Sequence, residues 1–231
     1  MNEILSFSSY FGMSLTIAMF VLALIINRRW PCPFTTPLFL ATIFVILALN
    51  AFDISYTTYN NSAKYITYFL MPVTVCFAVP MYRHLPLLRR YVWTILIAML
   101  VGVIGSVLTV IIMCILLGLG DIVARSLVAI SVTTAIAVDI TDKLGGVVTL
   151  TISSVIVTGI LGASVSEWFC KKIGLTSPIA RGLAIGNASH AAGTARAMQM
   201  GQIEGATSSL AIVISGLLTA IIAPFAIAMY F

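Results

Sequence analysis

The chain has 231 residues and a net charge of +5; 61% of its residues are hydrophobic and only 8% are charged. Together with a mean hydropathy of +1.12, these values exclude a soluble globular domain and predict an all-α integral membrane protein. A transmembrane helix needs about 20 apolar residues, so the length allows about seven or eight transmembrane segments. No room remains for a soluble domain, and we expect a single membrane domain over residues 1–231.

The few charged and sulfur-containing residues exclude further classes of function. Lys and Arg lie mostly in loops and at helix ends, which is typical of cytoplasmic retention and not of a nucleic-acid surface. The cysteines form no Cys-x-x-Cys pair, so we predict buried free thiols, no metal and no cofactor. They are Cys32, Cys76, Cys114 and Cys170.

Eight apolar segments follow one another along the chain, at residues 7–26, 37–52, 63–79, 91–119, 122–140, 145–170, 178–200 and 206–231. Met1 to Phe7 lacks the basic region and cleavage site of a secretory signal, so we expect the first segment to remain as a transmembrane helix. Arg28-Arg29 follow the first segment and a basic cluster, Arg83 to Arg90, follows the third. The positive-inside tendency places both on the cytoplasmic side, with the N-terminus outside.

The third and fifth segments contain features that interrupt helices. Pro72, two residues before Thr74, removes a backbone donor and clashes with the preceding turn, so we predict a helix break there. The fifth segment contains Ser131, Thr133 and Thr134. These hydroxyls either coordinate a substrate or ion, or bond to carbonyls of their own helix.

The seventh segment carries the most polar run of the chain. Asn187, Ser189, His190 and Thr194 are expensive at membrane depth unless they face a cavity or the protein interior. On a continuous helix His190 and Thr194 share a face. We predict a substrate site here and helix breaks at the flanking Gly186 and Gly193, because a helix end presents free amides that suit a carboxylate. The glycines also fit tight packing between membrane helices.

Three charged residues are candidates for coupling or gating. Asp139, near Asp142 and Lys143, is either an ion or proton site or part of a solvated loop. Arg196 and Glu204 flank the turn before the last helix. They either pair with each other or close one end of a pathway.

A weak internal repeat links the third and fifth segments. Val73-Thr74-x-x-x-Ala78-Val79 resembles Val132-Thr133-x-x-x-Ala137-Val138, and each is followed by a helix with a Gly-x-x-Gly pair, Gly102 with Gly105 and Gly159 with Gly162. An inverted repeat with interrupted helices is typical of secondary transporters. It remains a hypothesis, since apolar segments often match by chance.

If the crossings are simply counted along the chain, one pair of lysines lies on the side of the membrane where basic residues are not expected. If every segment crosses, Lys171-Lys172 lie outside, against the positive-inside tendency. A fifth segment that enters and returns to the same side, breaking near Ser131 to Thr134, removes this conflict. A crossing and a re-entrant fifth segment both remain open.

Several motifs together resemble the LrgB/CidB family of bacterial membrane proteins, over essentially the whole chain. They are Gly186-Asn187-Ala188-Ser189-His190-Ala191-Ala192-Gly193-Thr194-Ala195, Glu204-Gly205-Ala206-x-Ser208-Ser209-Leu210, Ala223-Pro224, Pro72-Val73-Thr74-Val75 and Ser131-Val132-Thr133-Thr134. The resemblance implies a multi-pass protein of the bacterial plasma membrane, an antiholin-like or holin-like regulator of murein hydrolase activity and lysis, beside a small LrgA/CidA-type membrane partner. The chain is also similar to the C-terminal half of the plastid glycolate/glycerate translocator, and some bacterial pairs are associated with pyruvate movement.

Two hypotheses follow from the residues and this resemblance. The first is a secondary transporter of small monocarboxylates of the pyruvate, lactate and glycolate class, linked to autolysis; the second is a lysis regulator that acts through contacts with membrane partners. An enzyme is not expected, because nucleophile-elbow, zinc-protease and Walker motifs are missing. The expected partners are a small carboxylate, the lipid bilayer and the LrgA/CidA-type protein, with a homo-oligomer left open.

Overall fold

A computed structural model of the protein describes residues 10–30, 32 and 35–230. These residues form twelve α-helices and no β-strand, which confirms the all-α prediction. The N-terminal residues 1–7, where no secretory signal is predicted, lie outside the described residues, as do the beginning of the first segment and Phe231. The helices are α1 Phe11–Arg29, α2 Pro37–Ala51, α3 Tyr56–Thr67, α4 Leu70–Cys76, α5 Ala78–Arg83, α6 Leu85–Arg90, α7 Val92–Leu116, α8 Asp121–Leu127, α9 Thr134–Leu144, α10 Val148–Lys172, α11 Pro178–Met200 and α12 Gln202–Tyr230.

The chain divides into two compact units, one ending at Cys76 and one beginning at Phe77. In the first unit, α1 packs against α2 and α3. The Gly12 N–H donates to the Ser62 hydroxyl (2.6 Å), and the Thr16 and Tyr59 hydroxyls are 2.8 Å apart. The second unit consists of α5 to α12 and contains the polar fifth and seventh segments.

Prolines determine where the helices around residues 68–84 are interrupted. Non-helical Tyr68 and Phe69 precede Pro72, whose ring clashes with the carbonyl four residues earlier. The break predicted for this region therefore lies one turn before Pro72, and Thr74 is within α4. Pro80 similarly follows a break at Phe77.

Five helical stretches of the described residues are long and apolar enough to cross a membrane: Phe11–Arg29, Tyr56–Arg83, Val92–Leu116, Val148–Lys172 and Gln202–Tyr230. This differs from the seven or eight crossings predicted. The second predicted segment forms only the shorter helix Pro37–Ala51. The fifth and seventh segments are folded back on themselves.

The fifth segment forms hairpin 1, residues 121–144, and not a single helix. Residues 128–133 separate α8 from α9 and form its tip. The Thr151 hydroxyl, in the first turn of α10, donates to the Ser126 carbonyl (2.7 Å) and to the Thr141 hydroxyl (3.0 Å). Residues 126 and 141 would be about 22 Å apart along a continuous helix. The chain therefore doubles back at a tip that contains the predicted break near Ser131.

The seventh segment, α11, forms hairpin 2, residues 178–200. His190 has φ 38° and ψ −131°, which is not helical. A Cβ added to Gly193 would lie 3.0 Å from the Ile185 carbonyl oxygen, whereas eight residues of continuous helix span about 12 Å. Residues 178–189 therefore form an entering arm and residues 191–200 a returning arm.

The break in hairpin 2 corrects the sequence prediction, because it lies at His190 and not at Gly186 or Gly193. Both glycines are helical and lie where the backbone packs closely. A Cβ on Gly186 would be 2.5 Å from the Ser208 carbonyl oxygen, and one on Gly193 would be 2.5 Å from the Ser189 Cβ. Close packing, and not chain reversal, requires glycine at these positions.

The long helices α7 and α12 run in the same direction. Ile95 near the start of α7 packs in one apolar cluster with Ala211 of α12. Farther along, Val107 packs in a second cluster with Ala223. The two helices therefore begin at one end of the unit and finish at the other.

Helix α10 runs in the opposite direction. Near the start of α9, the Ile136 Cδ1 lies 2.7 Å from the position that a Cβ on Gly216 of α12 would take. Near the end of α9, Lys143 lines a groove together with Pro224 of α12. Helix α9 is thus parallel to α12, and a turn at Gly145 (φ 72°) reverses the chain into α10.

The Gly-x-x-Gly helices α7 and α10 are therefore antiparallel. Each of them is followed by one hairpin, and the two hairpins enter from opposite ends of the unit. An inverted repeat requires this arrangement.

The hairpins resolve the conflict over charge. Because hairpin 1 does not cross, the end of α10 lies at the end of the unit where α7 begins, which we call the basic end. Arg125 and Lys143 lie at the opposite end with Asp121, Asp139 and Asp142. The positive-inside tendency assigns the basic end to the cytoplasm. Its basic residues are Arg89, Arg90, Lys171, Lys172, Arg181 and Arg196.

Candidate functional site

The tips of the two hairpins meet beside adjacent turns of α7. A Cβ on Gly102 would lie 2.9 Å from the Asn187 Nδ2 of hairpin 2. One turn farther, the Ser106 hydroxyl is 2.5 Å from the Ser131 hydroxyl of hairpin 1. Both contacts lie near the middle of α7, so the tips are at about half the depth of the long helices. We call residues 128–134 and 187–194 together the tip site.

His190 is buried at the tip of hairpin 2, with 7% of its surface exposed. Its Nε2 lies 3.1 Å from the Val155 carbonyl oxygen of α10, and since a carbonyl only accepts, the Nε2 carries a proton and donates. Its backbone has a positive φ of 38°, a conformation that favours glycine and costs about 1–3 kcal/mol for other residues. Such strain persists where a specific side chain is needed, which suggests a function for the imidazole.

The Gly-x-x-Gly pair of α10 provides the space into which this tip packs. A Cβ on Gly159 would lie 2.5 Å from the His190 Cε1, and a Cβ on Gly162 would overlap the Ser189 hydroxyl. On α7, by contrast, no atom of the described residues lies within 4 Å of a Cβ built on Gly105. Three of the four glycines in the predicted repeat therefore contact hairpin 2.

Helix α12 bonds to both arms of hairpin 2. The Ser215 hydroxyl donates to the Asn187 Oδ1 at 3.1 Å. The Thr194 hydroxyl donates to the His190 carbonyl (3.0 Å) and is 2.6 Å from the Ser208 hydroxyl. Asn187 and Thr194 thus lie on different arms, and the shared helical face expected for His190 and Thr194 is interrupted by the break at His190.

The tip of hairpin 1 presents the start of a helix. Thr133 is the residue before α9, with φ −63° and ψ 149°, and its side chain does not cap the helix. Its carbonyl accepts from the Ala137 N–H at 2.9 Å. The N–H groups of the first turn, beginning at Thr134, have no partner within an α-helix and carry the positive end of its dipole.

Ion pairs hold hairpin 2 at the basic end. Arg196 on the returning arm pairs with Glu167 of α10, which also accepts from the Lys171 Nζ at 2.8 Å. Arg181 on the entering arm lies 3.8 Å from Glu204 of α12. Arg196 and Glu204 therefore do not pair with each other, because Arg196 faces α10 and Glu204 faces the entering arm of the hairpin.

The LrgB-like family model matches residues 16–229 of the chain. The chain belongs to the LrgB-like family. Over 189 residues, 82% of each chain, it is 37% identical to the antiholin-like protein LrgB of Bacillus cereus (strain B4264) and to that of Bacillus anthracis (strain A0248). No solved structure matches it. Family membership and the long apolar helices make it a multi-pass plasma-membrane protein of a family whose members are not typical enzymes.

Most of the predicted site residues of this LrgB-like protein come together at the tips. Asn187, Ser189, His190 and Thr194 lie at the tip of hairpin 2, and the tip of hairpin 1 holds Ser131, Thr133 and Thr134. Asp139 does not join them. It is exposed on α9, beyond the first turn, and lines a groove of about 200 Å³ with Lys143, Ala220 and Pro224.

Sequence reasoning missed the residues of α7 and α12 that complete the site. Ser106, Ser208 and Ser215 each contact a hairpin residue. For α12 a signal was present, because Ser208 and Ser215 are two turns apart on one face. Neither tip segment contains an acidic residue. Within the part of the chain that the structure describes, no cluster of His, Cys, Asp and Glu is suited to a metal.

Proposed function

We propose that this LrgB-like protein is a secondary transporter of small monocarboxylates of the pyruvate, lactate and glycolate class. The observation that carries the proposal is the meeting of two oppositely entering hairpins beside Gly102 and Ser106 of α7. Interrupted helices that meet near the midplane form the substrate sites of many secondary transporters. A protein that acts only through helix contacts has no need of them.

The chemistry of the tip site favours an anion. Helix α9 and the returning arm of hairpin 2 both begin there, and helix starts attract carboxylates. The Asn187 amide and the His190 imidazole add hydrogen-bonding groups, and no acidic side chain in either tip segment repels the anion. The burial of Ser189, His190 and Thr194 at the tip favours a small substrate.

A transport function is also consistent with the antiholin-like name of the relatives. Antiholin-like proteins are named for the control of lysis, and we propose that this chain influences autolysis through the monocarboxylate or proton balance of the cell. An LrgA/CidA-type small membrane protein is the proposed partner, and a homo-oligomer is compatible with the many exposed apolar side chains on α7 and α12.

Uptake into proteoliposomes tests the proposal. Purified protein is reconstituted alone and with an LrgA-type partner, and entry of labelled pyruvate, lactate and glycolate is measured under an imposed proton gradient. We expect saturable uptake of at least one acid, lost in Gly159→Ala and retained in Gly105→Ala. Folded protein that transports none of the three in either preparation contradicts the proposal.

The second candidate is a regulator of murein hydrolases that acts by contact with membrane partners. The antiholin-like name of relatives 37% identical to the chain favours it. The two candidates differ in cells that lack the endogenous protein. If Gly159→Ala, folded but inactive in uptake, restores normal autolysis as well as wild type does, regulation does not require transport and the second candidate is supported.

A further inference from the structure

One face of α12 points toward the hairpins along most of its length. Its members recur at spacings of three or four residues and are all buried. We call this face the α12 stripe; it consists of Glu204, Ser208, Ala211, Ser215, Thr219 and Ala223.

The first three polar members of the stripe each contact hairpin 2. Glu204 pairs with Arg181, Ser208 with Thr194, and Ser215 with Asn187. The fourth polar member, Thr219, lies one turn beyond Ser215. Within the described residues its hydroxyl has no hydrogen-bond partner, although only 1% of the residue is exposed.

This unpaired hydroxyl is unusual for the chain. Several other hydroxyls in its helices bond to the carbonyl one turn earlier, as Thr109 does to Gly105 (2.7 Å) and Ser209 to Gly205 (2.8 Å), and others bond across elements, as Ser215 does to Asn187. Thr219 does not use the Ser215 carbonyl in this way. A buried hydroxyl without a partner destabilises the folded state, and a structural role in packing does not require one.

Thr219 lies between the contacts that α12 makes with the two hairpins. On one side of it, Ser215 bonds to Asn187 of hairpin 2. On the other, Ala223 packs in a cluster with Val128 and Val132 of the hairpin 1 tip. The start of α9, an eleven-residue helix, passes beside the same part of α12.

We infer that Thr219 binds the oxygen on carbon 2 of a 2-oxo or 2-hydroxy monocarboxylate whose carboxylate lies against the start of α9. This assignment rests on the proposed transport function and adds a residue that selects among small acids. The hydroxyl donates to a 2-oxo oxygen or accepts from a 2-hydroxyl, so it serves both kinds of substrate. Acids without an oxygen on carbon 2 leave it unpaired.

Lactate and propionate provide the test, since they differ by one hydroxyl group. Uptake of each labelled acid is measured in proteoliposomes of wild type, Thr219→Val and Thr219→Ser, with Thr109→Val as a control that removes a hydroxyl bonded within its own helix. Wild type is expected to prefer lactate by at least about tenfold, because a site that pairs a substrate hydroxyl strongly rejects the analogue without it. Thr219→Val should bring the ratio close to one by weakening lactate alone, and Thr219→Ser and Thr109→Val should keep it.

Stability gives a second, independent measurement. Valine has nearly the shape of threonine and removes an unpaired buried hydroxyl, so Thr219→Val should unfold at the same temperature as wild type or higher. An unchanged lactate-to-propionate ratio in this variant, an equal loss of both acids, or a lower unfolding temperature overturns the assignment while leaving transport intact. Wild type that transports pyruvate but neither of these acids is tested with pyruvate against propionate, and wild type that transports only glycolate is tested with glycolate against acetate. Wild type that transports no monocarboxylate overturns both the function and the assignment.

Discussion

The two hairpins of this LrgB-like protein have similar shapes but are held by different interactions. Hairpin 1 turns over the six residues 128–133 and packs into the largest apolar cluster through Val128, Val132 and Ala137. Hairpin 2 turns at one strained residue, His190, and adds hydroxyls, an amide and ion pairs to the apolar contacts of Leu183, Ile185 and Ala197. Apolar packing fixes a structure more firmly than exchangeable polar contacts do. We therefore expect hairpin 1 to be the rigid half of the site and hairpin 2 to be the half that moves.

The largest effect is expected where hairpin 2 packs on α10. A methyl group at position 159 would meet the His190 ring at 2.5 Å, so Gly159→Ala should displace the tip and reduce uptake by about 100-fold, as misplaced site groups do. Overpacking should also cost about 1–3 kcal/mol of unfolding free energy. Uptake and denaturant unfolding are measured together. Gly105→Ala is the matched control, because a Cβ there has no neighbour within 4 Å in the described residues; equal losses in both variants contradict the role of Gly159.

The second effect separates the strain at His190 from the role of its side chain. His190→Gly and His190→Ala should both lower uptake, because both lack the imidazole. The free energy of unfolding of the glycine variant should be about 1 kcal/mol larger than that of the alanine variant, since only glycine adopts the positive φ without strain. At hairpin 1 the same comparison at Ser131, where φ is not positive, should favour alanine or show no difference. Equal stabilities of the two His190 variants would contradict strain at this residue.

The third effect belongs to hairpin 1 and should be confined to stability. Thr151→Val removes the hydroxyl that donates to the Ser126 carbonyl and to the Thr141 hydroxyl, both buried. The loss should be about 1–3 kcal/mol of unfolding free energy, with uptake per folded molecule unchanged. Ser153→Ala, which removes a hydroxyl bonded only to the Thr149 carbonyl of its own helix, is the control. Lost uptake in folded Thr151→Val would show that hairpin 1 is not merely a rigid support.

Composition and the polar run were sufficient to predict an all-α membrane protein and to locate the tip of hairpin 2. The predicted number of crossings was not confirmed, because hydropathy records how apolar a segment is and not whether it reverses; residues 122–140 are equally apolar in a hairpin and in a spanning helix. The clue to the reversal was the side of the membrane on which Lys171-Lys172 would lie. That side depends on the number of crossings that precede them and not on the local sequence.

The exact break in hairpin 2 was missed for a related reason. Glycine is the residue expected at a reversal, but the reversal lies at His190, while Gly186 and Gly193 are needed where backbones approach closely. The sequence also contained no sign that Gly159 faces His190, because that contact depends on the packing of α10 against α11. Local propensity therefore located the polar segment, and tertiary contacts determined its geometry.

The smallest effect concerns the ion pairs at the basic end. Arg196 pairs with Glu167 across two elements, whereas Asp121 and Arg125 of hairpin 1, 3.4 Å apart, pair within one helix. Partly exposed pairs contribute about 0–1 kcal/mol, so Arg196→Gln should barely change stability. If hairpin 2 moves during transport, loss of the pair should nevertheless alter the uptake rate several-fold, and Arg196→Lys, which keeps a positive charge facing Glu167, should stay closer to the wild-type rate. Arg125→Gln should leave the rate unchanged. An unchanged uptake rate in Arg196→Gln would contradict a moving hairpin 2. Equal changes of the uptake rate in Arg196→Gln and Arg125→Gln would show that the two hairpins do not differ in this respect.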